Sequence, residues 1–164
     1  MGAGAVLVLT AGVTACSSPD PQAGKVDRVF VALLQRTFAN DWAQLSARRD
    51  FPFPTFDVSH PDPKLLPKVG AFLAANLTVR QHIDTELRGL PAPKTGRHAW
   101  TQVKVYAFEE NTLAARQIHA AEAGDVRSFS ATVQLLGNLH DLLAAQLATA
   151  GVPTTNALAQ ILLA

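Results

Sequence analysis

The chain has 164 residues, a length typical of one domain with at most a short appendage. Only 16% of the residues are charged and 48% are hydrophobic, which excludes disorder driven by excess charge. The formal net charge is +1, so we expect no polybasic surface for nucleic acid. The single cysteine excludes an intramolecular disulfide and a zinc site built from several cysteines.

The chain begins with an uncharged segment of small and apolar residues, Gly2 to Ala15. As a helix this segment is about 21 Å long, too short for a hydrocarbon core of about 30 Å but typical of the apolar core of a signal peptide. It ends in Val13-Thr14-Ala15-Cys16, which resembles the lipobox of bacterial lipoproteins. The resemblance implies that the signal peptide, residues 1–15, is removed and that the Cys16 thiol carries a diacylglycerol.

The alternative interpretation of this segment is a free cysteine buried in a hydrophobic first helix. The glycines and threonines between Gly2 and Thr14 disfavour it, because both are poor helix formers. A signal peptide normally begins with Lys or Arg, and none precedes the apolar segment, so we expect translation to start upstream of Met1. Residues 16–24 continue from Cys16 with nothing apolar larger than alanine, which predicts a flexible tether between lipid and fold.

Apolar residues then recur at steps of three and four, which predicts four amphipathic helices. The first ends before Phe51-Pro52, since a proline disfavours helical geometry in the residue before it. Asp62-Pro63 is typical of an N-cap and first turn, and Gly89 is predicted to be the C-cap of this second helix. Gly124-Asp125 combines the C-cap of the third helix with the N-cap of the fourth, which ends at Gly151.

Short second and third connections make consecutive helices antiparallel neighbours. We therefore expect an all-α fold, a four-helix antiparallel up-down-up-down bundle formed by residues 25–151. No alternating β-branched run bounded by turn signals indicates a strand. Residues 152–164 form a C-terminal tail, for which a short extra helix is an open alternative.

Polar residues interrupt the apolar stripes near the middle of the predicted bundle. Residues that face each other in an antiparallel hairpin have a nearly constant sum of residue numbers, which places Glu110 level with His140 and with Asn76. Thr37 of the first helix lies near the same level. We expect Thr37, Asn76, Glu110 and His140 to form a partly buried polar layer. The layer is either a hydrogen-bonded network that fixes helix register or a site for a small ligand or metal.

Motifs for cofactors are absent or incomplete. A di-iron bundle needs Glu-x-x-His pairs on two helices, whereas His119-x-x-Glu122 has the reverse order. His82 and Glu86 have no partner pair; with His98 they could surround a zinc or copper ion, but solvated side chains are the default for such residues. Haem-attachment, phosphate-binding and dinucleotide motifs do not occur. We predict no cofactor and no metal.

The connection from Phe51 to Pro63 contains three phenylalanines and four prolines in 13 residues. We expect Phe51, Phe53 and Phe56 to pack over the open end of the bundle. The alternative is an exposed aromatic patch that contacts a partner or a ligand. Burial of the three rings distinguishes the two interpretations.

The leader, the tether and the helices rich in alanine and leucine resemble small helical lipoproteins and secreted proteins of actinobacteria. The run Ala114-Ala115-Arg116, the turn Ala123-Gly124-Asp125 and Phe129 carry the rest of this resemblance, which implies no functional residue beyond an acylated Cys16. We expect a lipoprotein anchored on the extracytoplasmic face of a bacterial cell membrane. Its domain is expected to be non-catalytic and to bind an envelope protein or a small apolar ligand. The alternative is a protein that handles a metal or small ligand in the polar layer.

Overall fold

The computed structural model describes residues 27–47 and 56–163, and these residues form an all-helical fold without a β-strand. Four long helices pack against each other and a short fifth one follows: α1 (Arg28–Ala47), α2 (Leu66–Gly89), α3 (Arg97–Glu122), α4 (Val126–Thr149) and α5 (Ala157–Leu162). None of the described helices is long and apolar enough to cross a bilayer. The leader, Cys16 and the tether lie outside the described residues.

Two predicted helix ends are confirmed by backbone geometry. Gly124 and Gly151, which follow α3 and α4, have φ angles of +67° and +76°, in the left-handed region that glycine adopts without strain. Asp125 caps α4 by accepting a hydrogen bond of 3.0 Å from the amide of Ser128. The local sequence therefore predicts where α3 and α4 end and where α4 begins.

The predicted end of α2 at Gly89 is confirmed, but the prediction that Gly89 is its C-cap is wrong, because Leu90 takes that position. Gly89 is the last residue of α2 and is not among the glycines with positive φ. The chain leaves the helix instead at Leu90, whose backbone is extended, with φ −73° and ψ 142°. Pro91 explains this ending, because a proline pushes the preceding residue out of helical geometry.

Helix α3 is central to the fold, with α2 packed along one side and α4 along the other. Helix α1 packs mainly against α5. The C-terminal tail, which contains α5, is held against α1 by Asn156. Its Oδ1 accepts a hydrogen bond from the Leu158 amide, and its Nδ2 donates one to the Val31 carbonyl. Gln35 of α1 accepts a further hydrogen bond of 2.8 Å from the Ala157 amide. The tail is therefore an integral layer of the domain.

The core divides into two apolar clusters along α3. The larger one joins α1, α2, the first half of α3, α4 and α5, and its largest members are Phe30, Phe38, Trp100, Leu143, Leu147 and Leu158. The smaller one, near the end of α3, is formed by Leu66, Val69, Ala120, Ala121 and Phe129. In the sequence of α3, Glu110 lies between the buried members of the larger cluster, which end at Ala107, and those of the smaller cluster, which begin at Ala120.

Candidate functional site

The charged cluster is a group of three ionisable side chains at the middle of α3. Glu110 is 2% exposed, and its Oε1 accepts a hydrogen bond from the Arg80 guanidinium of α2. The same oxygen lies 3.3 Å from Nε2 of His140 in α4. One carboxylate therefore links the three helices, and its pairing meets the requirement that a buried charge be neutralised and hydrogen-bonded.

His140 is the neutral member of this cluster. Burial, and after it the positive charge of Arg80, lower the pKa of His140 below its ordinary value of 6.5, while Asp141 acts in the opposite direction. An ionised carboxylate can only accept a hydrogen bond, so Nε2 of the neutral ring donates to Glu110. Glu110 therefore accepts hydrogen bonds from two donors, of which only Arg80 is positively charged.

The structure brings together two of the four residues of the predicted polar layer, Glu110 and His140. Arg80, which the sequence analysis did not single out, occupies the place expected for Asn76. Asn76 lies one helical turn earlier in α2, half-buried, and its Oδ1 has no hydrogen-bond partner among the described residues. Thr37 is half-buried in α1, and no hydrogen bond within the described residues joins it to Glu110.

The connection between α2 and α3 explains this one-turn displacement. The chain continues past the end of α2 in extended form through Leu90 and Pro91, and it turns at Gly96, whose φ is +70°. Because the reversal comes late in the connection, each residue of α3 faces a position further along α2. Gly96 also lies against α4, where a Cβ atom would come within 2.9 Å of the Ala150 Cα. The sequence feature that could have identified Arg80 is its position on the apolar stripe of α2 that contains Ile83 and Leu87.

The space beside the charged cluster is too small for an organic ligand. A cavity of about 10 Å³ lies between Arg80, Asp84, Glu110 and Asn111, closed by Ile161 and Leu162 of α5. This volume corresponds to about one water molecule. We infer that the charged cluster has a structural role, because its charges are paired with each other within the protein.

No group of three His, Cys, Asp or Glu side chains that could hold a metal ion occurs among the described residues. His82 Nε2 lies 3.6 Å from Glu86 Oε1 on α2, and the His82 side chain is mostly exposed. His98 is exposed at the start of α3. These positions leave His82 and Glu86 as a surface pair one helical turn apart.

A large open trough lies on the outer face of α3. It is lined by this face from Phe108 to Ala120 and by Ala123 after it, by Gln81 and Asp84 of α2 on one side, and on the other by Asp125 and by residues from Ser128 to Thr132 of α4. The volume of this α3 trough is about 930 Å³. Its lining is mainly apolar, and the Phe108 side chain on it is 53% exposed.

The end of the α3 trough at Phe108 carries an unusual polar group. Asp84 is 8% exposed; its Oδ2 accepts a hydrogen bond of 2.7 Å from Arg88, whose guanidinium lies 4.9 Å from the centre of the Phe108 ring. The other carboxylate oxygen, Oδ1, is buried and has no hydrogen-bond partner among the described residues. An unpaired buried oxygen of this kind favours a water molecule or another donor at this wall.

The aromatic connection is described only from Phe56 onward, and Phe51 and Phe53 lie outside the described residues. Phe56 is half-buried and packs edge-on against Phe129, with ring centroids 6.0 Å apart. This ring therefore covers the smaller apolar cluster.

No family model matches the chain, and no curated protein or solved structure shows significant similarity to it.

Proposed function

We propose that the protein is a membrane-anchored bacterial lipoprotein whose helical domain binds a small apolar ligand in the α3 trough. The observation that carries the binding function is the trough itself. Its volume of about 930 Å³ lies within the range of about 300–1,000 Å³ found for small-molecule sites. Like such sites, it exposes more apolar than polar surface, including the aromatic ring of Phe108, and polar side chains of α2, α3 and α4 surround this surface.

The membrane anchor is supported by the lipobox resemblance at Val13-Thr14-Ala15-Cys16. The described fold begins at Asp27, beyond the proposed acylation site and the tether. Acyl chains at Cys16 would contribute about 0.8 kcal/mol per buried methylene to membrane binding. Two chains are then enough to hold the domain at the extracytoplasmic face of the cell membrane.

We propose binding and not catalysis, because the ionisable side chains that contact one another are already paired within the protein. Arg80, Glu110 and His140 form such a closed group beside a cavity of about 10 Å³.

For the helices we propose the up-down-up-down order. It is supported by the approach of Gly70, early in α2, to Ala121, late in α3. It is also supported by the hydrogen bond of 2.8 Å from Lys104, early in α3, to the Leu90 carbonyl.

An envelope protein is the second candidate partner, and one observation favours it. Leu135 and Leu142 lie seven residues apart on α4, and both are about half exposed. A photo-crosslinking residue at position 142 in the membrane-bound protein would give a discrete product with a protein partner. The same residue at exposed Ala71 of α2 serves as the control.

The anchor is tested by intact-mass measurement of the protein expressed with its leader in a bacterium that processes lipoproteins. We expect a chain that begins at Cys16 and carries a diacylglycerol, and we expect the Cys16→Ser variant to keep its leader. An unmodified thiol in the membrane fraction would contradict the anchor.

The binding function is tested with the neutral fluorescent probe N-phenyl-1-naphthylamine and the purified protein. Ala115 lines the middle of the trough, and a large ring at this position would obstruct it, so Ala115→Trp should reduce probe binding at least tenfold. Ala145→Trp, at an exposed alanine of α4 outside the trough, is the matched control and should bind like the parent. Failure of the parent protein to bind the probe would overturn the binding function.

A further inference from the structure

We propose that the end of the domain where the tether joins it docks on anionic lipid headgroups of the membrane through Arg28, Lys94 and Arg97. This inference rests on the proposed membrane anchor and adds the surface by which the domain contacts the bilayer. It is carried by the place where the tether enters the fold and by the difference in charge between the two ends of the domain.

Several parts of the chain meet at this end of the domain, which we call the anchor end. Oδ2 of Asp27, just before α1, accepts a hydrogen bond of 3.1 Å from the amide of Lys94 in the α2–α3 connection. Gly96 of the same connection lies against the end of α4. Asn156 of the C-terminal tail donates to the Val31 carbonyl near the start of α1. The chain between the proposed lipid and the fold therefore enters at this end.

The tether confines the anchor end to the neighbourhood of the bilayer. Asp27 follows Cys16 by eleven residues, which span about 40 Å at most when fully extended. A contact between this end and the headgroups is then intramolecular, so that a few weak interactions are sufficient to hold it.

The anchor end carries exposed cations that have no carboxylate partner. Arg28, Lys94 and Arg97 are exposed, and no hydrogen bond or ion pair within the described part of the chain engages their side chains. The sequence has no Asp or Glu from residue 87 to residue 108 and none after residue 141. Asp27 is the acidic residue of this end, and both of its oxygens accept backbone amides, from Lys94 and Phe30. Three cations and one carboxylate leave an excess of positive charge here.

The opposite end of the domain does not share this excess. It is formed by residues 56–70 and 121–129, which meet where Phe56 packs against Phe129. Its exposed charged residues are four acidic and three basic ones: Asp57, Asp62, Glu122, Asp125, Lys64, Lys68 and Arg127. The positive end of the domain is thus the end at which the tether enters.

An apolar side chain and an open hollow accompany the cations of the anchor end. Val29 is 77% exposed, more than any other large hydrophobic side chain of the described residues. A hollow of about 310 Å³ lies between α1 and residues 153–156, with Arg28 on its wall. Exposed apolar groups beside cations are typical of surfaces that bind at the headgroup boundary of anionic membranes, and the hollow offers room for a headgroup.

The test uses the acylated full chain in vesicles of phosphatidylcholine, alone or mixed equally with phosphatidylglycerol. Acylation blocks Cys16, so Val29→Cys provides a single thiol for a fluorophore, which a lipid with a nitroxide headgroup quenches on contact. We expect at least twofold stronger quenching in the anionic vesicles. Each cation near an anionic surface accounts for about a fivefold change in the docking equilibrium, so the triple variant Arg28→Gln, Lys94→Gln and Arg97→Gln should weaken docking about a hundredfold and lose the difference.

The matched control removes the same charge from the opposite end, as Lys64→Gln, Lys68→Gln and Arg127→Gln, and should keep the quenching at position 29. A fluorophore at Val58→Cys, which is 46% exposed at the opposite end, should be quenched equally in both kinds of vesicle.

The outcomes separate this inference from the proposed anchor. Equal quenching of acylated protein at position 29 in both kinds of vesicle, or equal effects of the two triple variants, would overturn the docking surface and leave the anchor standing. An unmodified Cys16 thiol, together with no association with either vesicle, would overturn both. Energy transfer between fluorophores at position 29 of two protomers would show that a second copy of the chain covers the anchor end, and would also overturn the inference.

Discussion

Nδ2 of Asn156 donates a hydrogen bond of 3.0 Å to the backbone carbonyl of Val31, 125 residues earlier in the chain. Asn156 is 3% exposed, and its Oδ1 caps α5 by accepting from the Leu158 amide. One side chain thus starts the last helix and fixes it against the first. The consequence is that α5 fills the core beside α1, with Leu158 fully buried.

We predict that Asn156→Ala lowers the free energy of unfolding by about 2 kcal/mol. Loss of the helix cap contributes about 1 kcal/mol and loss of the buried bond to Val31 about another. Urea unfolding followed by circular dichroism measures the change. Asn138→Ala, at an exposed site on α4, is the control and should change stability by less than about 0.5 kcal/mol. Equal effects of the two substitutions would contradict the role given to Asn156.

For the buried ion pair, we predict that Glu110→Leu alone destabilises the protein by about 3 kcal/mol, because it leaves Arg80 partly buried without its carboxylate. The double variant Arg80→Met and Glu110→Leu should recover most of this loss, since apolar side chains can replace a buried ion pair at little cost. Chemical unfolding of the single and double variants tests this coupling. If the losses of the single variants Arg80→Met and Glu110→Leu simply add in the double variant, the pairing of Arg80 with Glu110 is not the source of the effect.

The lowered pKa of His140 predicts a loss of stability in acid. The unfolded chain, with an ordinary histidine pKa of 6.5, takes up a proton before the folded protein does, so the free energy of unfolding falls as the pH drops below about 6.5. One such group contributes a slope of at most about 1.4 kcal/mol per pH unit.

The control for this pH effect is His140→Gln, whose amide can still donate to Glu110 but does not titrate. Its stability should fall less steeply than that of the parent between pH 7 and pH 5, in thermal unfolding at matched ionic strength. Parallel curves for the two proteins would show that His140 does not titrate differently on folding.

Two helical glycines should respond differently to the same substitution. A methyl group added at Gly137 would meet open space, with no neighbouring element within 4 Å, so Gly137→Ala should stabilise α4 by about 0.5–1 kcal/mol. A Cβ at Gly70 would lie 3.2 Å from the Ala121 Cβ and 3.3 Å from the Glu122 amide nitrogen. Gly70→Ala should therefore be at least about 1 kcal/mol less stable than Gly137→Ala. A similar gain at both sites would mean that α2 and α3 are further apart.

Local signals were sufficient for the all-helical fold. The apolar period indicated four long helices, and Gly124, Asp125 and Gly151 marked their ends because turn and cap geometry depends on adjacent residues. Gly89 was misinterpreted because the proline two residues later imposes an extended ending before a left-handed one can form.

The site depended on longer-range geometry. The sequence placed Glu110 near His140, since the turn at Gly124 is short and symmetric. The sequence analysis assigned to Asn76 the position that Arg80 occupies. It missed Arg80 because the register of α2 against α3 is set by where the chain reverses, at Gly96. The α3 trough could not be predicted, as a concave surface depends on how far α2 and α4 project beyond α3.

On the proposed function, the ligand binds in the α3 trough and not at the charged cluster. Backbone amide chemical shifts of the isotope-labelled protein, titrated with N-phenyl-1-naphthylamine, test it most directly. We predict shifts concentrated at residues 111–123 and 128–132, with Arg80, Glu110 and His140 of the charged cluster unchanged. Shifts centred on these three residues, or no shifts at saturating probe, would contradict it.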